Sequence, residues 1–197
     1  MRSVVIAMMV LAALGGCNRR DRNEDAPAVR SSTIVAPENT PVDAVPQEEP
    51  AVARSQWRAA NETARTGSGN LRVSLESVRG GPVVFAFANG VTIRAQPYAQ
   101  VQSSSRSGVE GRSFAAVLGG DPRVDAWLYR VLDENVASSA SRGLCGDAPT
   151  RFMAVSEFVD GSGRWVFKVA TFRGDHAPGG GGGGAPELCG AYAYSSQ

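Results

Sequence analysis

The residues able to do chemistry are few. His176 is the only histidine, set in Asp175-His176-Ala177-Pro178 beside a run of six glycines, Gly179 to Gly184. A general base needs an orienting partner and a rigid seat. A glycine-flanked loop offers neither, so His176 reads as a surface residue. The glycine run lacks the Gly-Lys-Ser/Thr ending of a phosphate-binding loop and reads as a flexible loop tip. No Gly-x-Ser-x-Gly elbow occurs. Asp133 and Glu134 are adjacent, hence on opposite sides of a strand, and make a poor acid/base pair. Two isolated cysteines and one distant histidine lack metal-site spacing. The expectation is a protein that is not an enzyme, with no catalytic residue, no metal site and no cofactor.

Charge narrows the partners. Beyond residue 16 the acidic and basic side chains are equal in number, 19 of each. A near-neutral chain has no basic field of the kind that draws nucleic acid. Lys168 is the only lysine, and the arginines are scattered rather than clustered. That pattern reads as compositional bias rather than an anion site.

The N-terminus carries the clearest pattern. Met1-Arg2-Ser3 is a short positive segment, and Val4 to Leu14 is an apolar run of about eleven residues, the length of an export signal core. It is too short for a helix that crosses a bilayer, which needs about 20 apolar residues. The run ends in Leu14-Gly15-Gly16-Cys17. This resembles the lipobox of bacterial lipoproteins. The resemblance covers the first 17 residues, and it implies cleavage before Cys17 and lipid on that cysteine. Residues 1–16 are then a signal peptide, and acyl chains on Cys17 anchor the rest, each buried methylene contributing about 0.8 kcal/mol. Asn18 in place of Asp favours the outer over the inner membrane. The expected location is the cell envelope, facing the periplasm.

Residues 17–55 read as a disordered tether. Pro27, Pro37, Pro41, Pro46 and Pro50 interrupt any helix or strand. The stretch has no aromatic residue and too little apolar surface to offset chain entropy. A flexible chain of this length spans roughly 35 Å.

With Cys17 acylated, Cys145 and Cys189 remain as an even pair in an oxidising compartment, where two spare thiols usually join. The predicted disulfide closes a loop of about 43 residues, for which chain entropy gives roughly 4 kcal/mol.

Residues 56–197 are expected to form one all-β domain. Trp57 to Arg65 has two readings: a short Ala-rich helix, or the end of the tether with Trp57 as the first core residue. From Leu71 the period is two. Leu71, Val73 and Leu75 alternate with Arg72, Ser74 and Glu76. Pro82–Phe87 and Val91–Gln96 form a hairpin through Ala88-Asn89-Gly90. A three-residue loop puts Phe85, Phe87, Val91 and Ile93 on one face and Gly90 at the left-handed position. Pro97 to Arg112 reads as an exposed Ser-rich loop. Ser113–Leu118 and Val124–Leu132 read as strands.

Arg151–Val159 and Arg164–Phe172 form a second hairpin around Asp160-Gly161-Ser162-Gly163. Here the predicted pairing sets Phe158 opposite Trp165, Ser156 opposite Phe167 and Ala154 opposite Val169, with Glu157 and Lys168 as diagonal neighbours. Leu188–Tyr194 is a last strand. Cys189 shares one face with Ala191 and Ala193, and Tyr192 and Tyr194 share the other; which face is buried stays open. The sum is about six to seven strands in a small antiparallel β-sandwich or barrel.

Two likenesses bear on function. The closing Cys189-Gly190-Ala191-Tyr192-Ala193-Tyr194 strand is similar to that of small envelope lipoproteins of bacteria. Ser107-Gly108-Val109-Glu110 looks like the start of the Ser-Gly-x-x-Tyr loop of lysozyme-inhibitor lipoproteins, but Gly111 stands where the tyrosine belongs. The leading expectation is a non-enzymatic module, attached to the membrane through its N-terminal lipid, that meets an envelope protein or peptidoglycan. A carrier of a small apolar ligand, or a lysozyme-inhibitor-like lipoprotein, is the alternative.

Overall fold

The computed structural model describes residues 55–77, 79–180 and 184–196. The expected signal peptide, Cys17, nearly all of the expected tether and three residues of the glycine run lie outside the described residues.

The described residues form eight antiparallel strands: β1 (Gln56–Ala59), β2 (Leu71–Leu75), β3 (Val83–Phe87), β4 (Val91–Val101), β5 (Ala126–Val136), β6 (Phe152–Val159), β7 (Trp165–Arg173) and β8 (Glu187–Ser195). Each pairs with the next, and β1 closes on β8 through Arg58 opposite Ser195 and Ala59 opposite Tyr194. The sheet is therefore a closed barrel. A barrel has no unpaired edge to protect, and the sandwich alternative falls away.

The strand count exceeds the expected six to seven, and two segments change type. Trp57 belongs to β1 and is a core residue, 1% exposed. The helical half of that stretch is a single π-helical turn over Ala64–Ser68. Asn61 sets it against β8: its carboxamide oxygen accepts from Ala64 N and Ala193 N, both at 3.0 Å, and its Nδ2 donates to Ala191 O. Ser113–Leu118, expected as a strand, is instead a short helix, α1 (Phe114–Leu118). Ser113 Oγ accepts from Ala116 N as an N-cap, and Gly119 ends the helix at φ +61. Phe114, Ala115, Val117 and Leu118 are all buried. An apolar run of that density has no period-two signal to oppose helix.

The first hairpin has the expected loop. Phe85 lies opposite Ile93 and Ala86 opposite Thr92. Gly90 N donates to Phe87 O at 3.0 Å with Gly90 at φ +97. β4 runs further than expected, through Pro97 to Val101. A register shift between Pro97 and Ala99 absorbs the residue that cannot donate. The segment that follows is not simply exposed, since Ser103, Ser107 and Val109 are buried.

The second hairpin corrects the expected register by one residue. Val159 pairs with Trp165, Phe158 with Val166, Ser156 with Lys168 and Ala154 with Ala170. Asp160 N donates to Arg164 O, and Gly163 N donates to Asp160 O with Gly163 at φ +80. The loop is thus Gly161-Ser162-Gly163, the same three-residue type as the first. A one-residue slip moves a strand's side chains to the other face. Glu157 and Lys168 are accordingly on opposite faces and not diagonal neighbours.

Two cores result. Inside the barrel, Trp57, Phe85, Tyr129, Phe167 and Tyr194 are fully buried. The Trp57 and Phe167 rings lie 4.8 Å apart, and Phe85 meets Tyr129 edge-on at 5.5 Å. Outside the barrel, Val109, Phe114, Val117 and Leu118 cover Leu128, Phe152, Ala154, Ala170 and Phe172. The β4–β5 connection thus lies as a second layer on the outer face of β5, β6 and β7. Burial beside this layer also lowers the pKa of Lys168.

Candidate binding mouth

The β1–β2, β3–β4, β5–β6 and β7–β8 connections lie at one end of the barrel, and the first three of them surround an opening. This mouth is an open cavity of about 760 Å³ lined by Thr66, Gly67, Asn89, Ser139, Arg142, Tyr192 and neighbouring small residues. The chain arrives from the opposite end: Ser55 O accepts from Val73 N at 2.9 Å, so the approach to β1 runs beside β2 from that strand's far terminus.

The β5–β6 connection, residues 137–151, shapes the mouth and is held at several points. Gly143 and Gly146 exchange backbone hydrogen bonds at 3.1 Å each. Cys145 and Cys189 form the expected disulfide, with Cα atoms 4.9 Å apart. Tyr192 Oη donates to Leu144 O at 3.2 Å. Burial raises the pKa of Tyr192, and the charge of Glu134 adds in the same direction, which keeps the hydroxyl a donor. The Glu134 carboxylate accepts from Thr150 N at 2.6 Å, Thr150 Oγ1 at 2.9 Å and Leu144 N at 3.4 Å. A Cβ on Gly143 would come within 2.9 Å of Glu134 Oε1, so this close approach needs glycine.

A bulge explains how the last strand serves both core and mouth. Thr171 pairs with Gly190 and Phe172 with Leu188, which leaves Cys189 as the extra residue. Tyr192 and Tyr194 turn into the barrel, where Tyr194 Oη and Ser68 Oγ are 2.7 Å apart. Burial raises the pKa of Tyr194 as well. Cys189 is freed to reach sideways to Cys145.

The other singled-out residues lie elsewhere. His176 is exposed in the β7–β8 connection, its imidazole lying against Gly184. Asp133 pairs across to Arg94 while Glu134 is engaged at the mouth, so the two carboxylates are separated. No group of three or more His, Cys, Asp or Glu is placed to hold a metal among the described residues. The glycine run does not begin as a loose tip. Gly179 N donates to Ser107 O, and a Cβ on Gly179 would approach the Phe114 ring to 3.2 Å. The Ser107–Gly111 turn is itself pressed onto the outer wall, with Ser107 and Val109 buried and Ser107 Oγ donating to Arg112 O.

Sequence reasoning misses the parts of the mouth that matter most. Arg142 lines the cavity and has no acidic partner among the described residues. Its place three residues before a pairing cysteine, in a Ser/Ala/Gly stretch, is the one signal that could have found it. The Glu134 and Tyr192 contacts carry no sequence signature because they join residues 10 to 48 apart.

No protein-family model matches the chain, and neither a curated protein nor a solved structure shows significant similarity to it.

Proposed function

We propose that this protein is a non-enzymatic interaction module of the cell envelope, lipid-anchored at Cys17, facing the periplasm from the outer membrane, that takes a protein or cell-wall partner at the barrel mouth. The observation that carries the reading is the β5–β6 connection, pinned by the disulfide, Tyr192 and Glu134 around a cavity of about 760 Å³. Ordering a loop ahead of binding removes an entropy cost from association. The approach to β1 at Ser55 lies at the end opposite the mouth.

Carriage of a small apolar ligand has less support. Trp57, Phe85, Tyr129, Phe167 and Tyr194 fill the volume such a ligand would occupy. A lysozyme-inhibitor role would use the Ser107 turn, which is packed down on the barrel wall rather than projecting.

The test is capture from an envelope extract and from digested peptidoglycan on the immobilised mature chain, with Ser139→Trp as the blocking variant. Retention of one protein or muropeptide by the parent and its loss on Ser139→Trp is the expected result. Equal retention by both overturns the assignment of the mouth as the interaction site.

A further inference from the structure

We infer that the mouth binds a small, hydroxyl-rich acid of about sugar size, its acid group on Arg142 and its hydroxyls on Ser139 and Ser141. This rests on the reading of the mouth as the interaction site and names the ligand chemistry.

Three observations converge on it. First, three of the six polar side chains around the cavity, Thr66, Asn89 and Tyr192, are committed to the scaffold. Asn89 Nδ2 donates to Gly67 O at 2.7 Å and its Oδ1 accepts from Val91 N at 3.0 Å. Thr66 Oγ1 donates to Glu62 O, and Tyr192 Oη to Leu144 O. The side chains of Ser139, Ser141 and Arg142 have no protein partner among the described residues. They occupy one four-residue arc of the cavity wall.

Second, the wall carries a single cation. Arg142 is the one permanently charged side chain among the lining residues, and no lining residue is acidic. A guanidinium accepts a carboxylate in a two-point hydrogen-bonded geometry that a neutral ligand does not satisfy. The Glu134 carboxylate behind the wall accepts from Thr150 and Leu144 and forms no ion pair with Arg142.

Third, the walls exclude other ligands by size and polarity. Apart from Leu144, the remaining lining residues are small: Gly67, Ala88, Ala140, Gly143 and Gly146. Such small residues leave room but give little apolar contact, which disfavours a lipid or an aromatic ligand. A volume of about 760 Å³ lies in the range of small-molecule sites. The arc is held by Cys145, three residues beyond Arg142, so the site depends on the disulfide.

The experiment uses the full mature chain in detergent micelles under oxidising conditions. Two acids, N-acetylmuramic acid and glucuronic acid, are titrated beside their neutral counterparts, N-acetylglucosamine and glucose. Binding is followed by amide NMR shifts and calorimetry. At least one acid is expected to bind at least tenfold more tightly than its counterpart, with shifts centred on residues 139–146. Arg142→Gln is expected to remove that preference while the melting temperature is unchanged. Reduction of the disulfide is expected to weaken binding of the acid at least tenfold. Equal binding of acid and neutral sugar, or an unchanged preference in Arg142→Gln, overturns the proposal. No binding of either acid also overturns it. A macromolecular partner that is still lost on Ser139→Trp would then leave the mouth reading intact, so the two failures are distinguishable.

Discussion

In β3 every second residue is buried, whereas in β6 five consecutive residues, Phe152 to Ser156, are buried. The contrast divides the barrel. Along β2, β3 and the first half of β4 the inner face meets the core and the outer face meets water, so side chains alternate. Along β5, β6 and β7 the inner face meets the same core, but α1 and its flanking segment cover part of the outer face. A strand between two apolar layers loses alternation. In the first region the pattern of faces selects one register. In the second, neither register of the β6–β7 hairpin separates apolar from polar pairs: Glu157 lies opposite Phe167 in the observed one, and Ser156 would lie opposite Phe167 in the other.

The turn decides instead. In both hairpins the glycine that ends the loop has positive φ, +97 at Gly90 and +80 at Gly163, and donates back across three residues. In the second, Asp160 adds a brace: its Oδ1 accepts from Ser162 Oγ, Ser162 N and Arg164 N. Turn chemistry is therefore the common determinant, and face pattern a second one that only the half-solvated wall supplies.

The same charge placed on the outer face of each wall should separate the two most widely. Ala154 in β6 is 0% exposed beneath the outer layer, while Ala86 in β3 is half-buried with no such cover. Ala154→Lys is expected to cost more than about 3 kcal/mol, because an unpaired ammonium is buried. Ala86→Lys is expected to stay within about 0.5 kcal/mol, as surface substitutions do. Urea unfolding of both variants measures the difference, and equal losses would erase the distinction between the walls.

A smaller effect separates the two turns. Gly90→Ala and Gly163→Ala each force a side chain into the left-handed region, at about 1–2 kcal/mol. Gly90→Ala should lie at the upper end, since its Cβ would meet Ala137 Cβ and Ser139 Oγ at 3.2 Å. Gly163 has nothing within 4 Å of that position. Equilibrium unfolding that ranked Gly163→Ala as the more damaging would show that the second loop carries strain beyond its backbone conformation.

The smallest effect is a pH signature of the second turn. The Ser162 hydroxyl, followed by the Arg164 backbone N–H, holds the Asp160 carboxyl down at about 2. A depressed carboxyl contributes stability that is complete above the unfolded value near 4 and disappears as pH falls toward 2. Asp160→Asn should therefore lower the melting temperature slightly at neutral pH and reduce its fall between pH 4 and 2. Asp121, held down to a similar value chiefly by the Arg123 side chain, leaves part of that fall in place. An acid limb in Asp160→Asn as steep as the parent's would remove Asp160 from the account of the turn.

Much of the fold is legible in the residues themselves. Period-two alternation in Leu71–Leu75 and Val83–Ile93, with Asn89-Gly90 between, specifies strands, loop length and inward face together. Cysteine arithmetic pairs Cys145 with Cys189. These features are local, or are set by a count, and one residue's neighbours in sequence suffice to express them. The outer layer is not legible, because what covers Phe152, Ala154, Ala170 and Phe172 is a segment 34 to 63 residues earlier in the chain. Phe114–Leu118, a helix where a strand is expected, belongs to that cover.

An all-β chain follows from strand periodicity, and the pairing of Cys145 with Cys189 from setting Cys17 aside for lipid among three cysteines; both readings belong to the chain alone. Three features arise instead from packing in space: eight strands close into a ring, both tyrosines of β8 turn inward, and Ser139, Ser141 and Arg142 line one cavity. Closure depends on β1 meeting β8 across the whole domain. The mouth depends on connections far apart in sequence reaching one end of that ring.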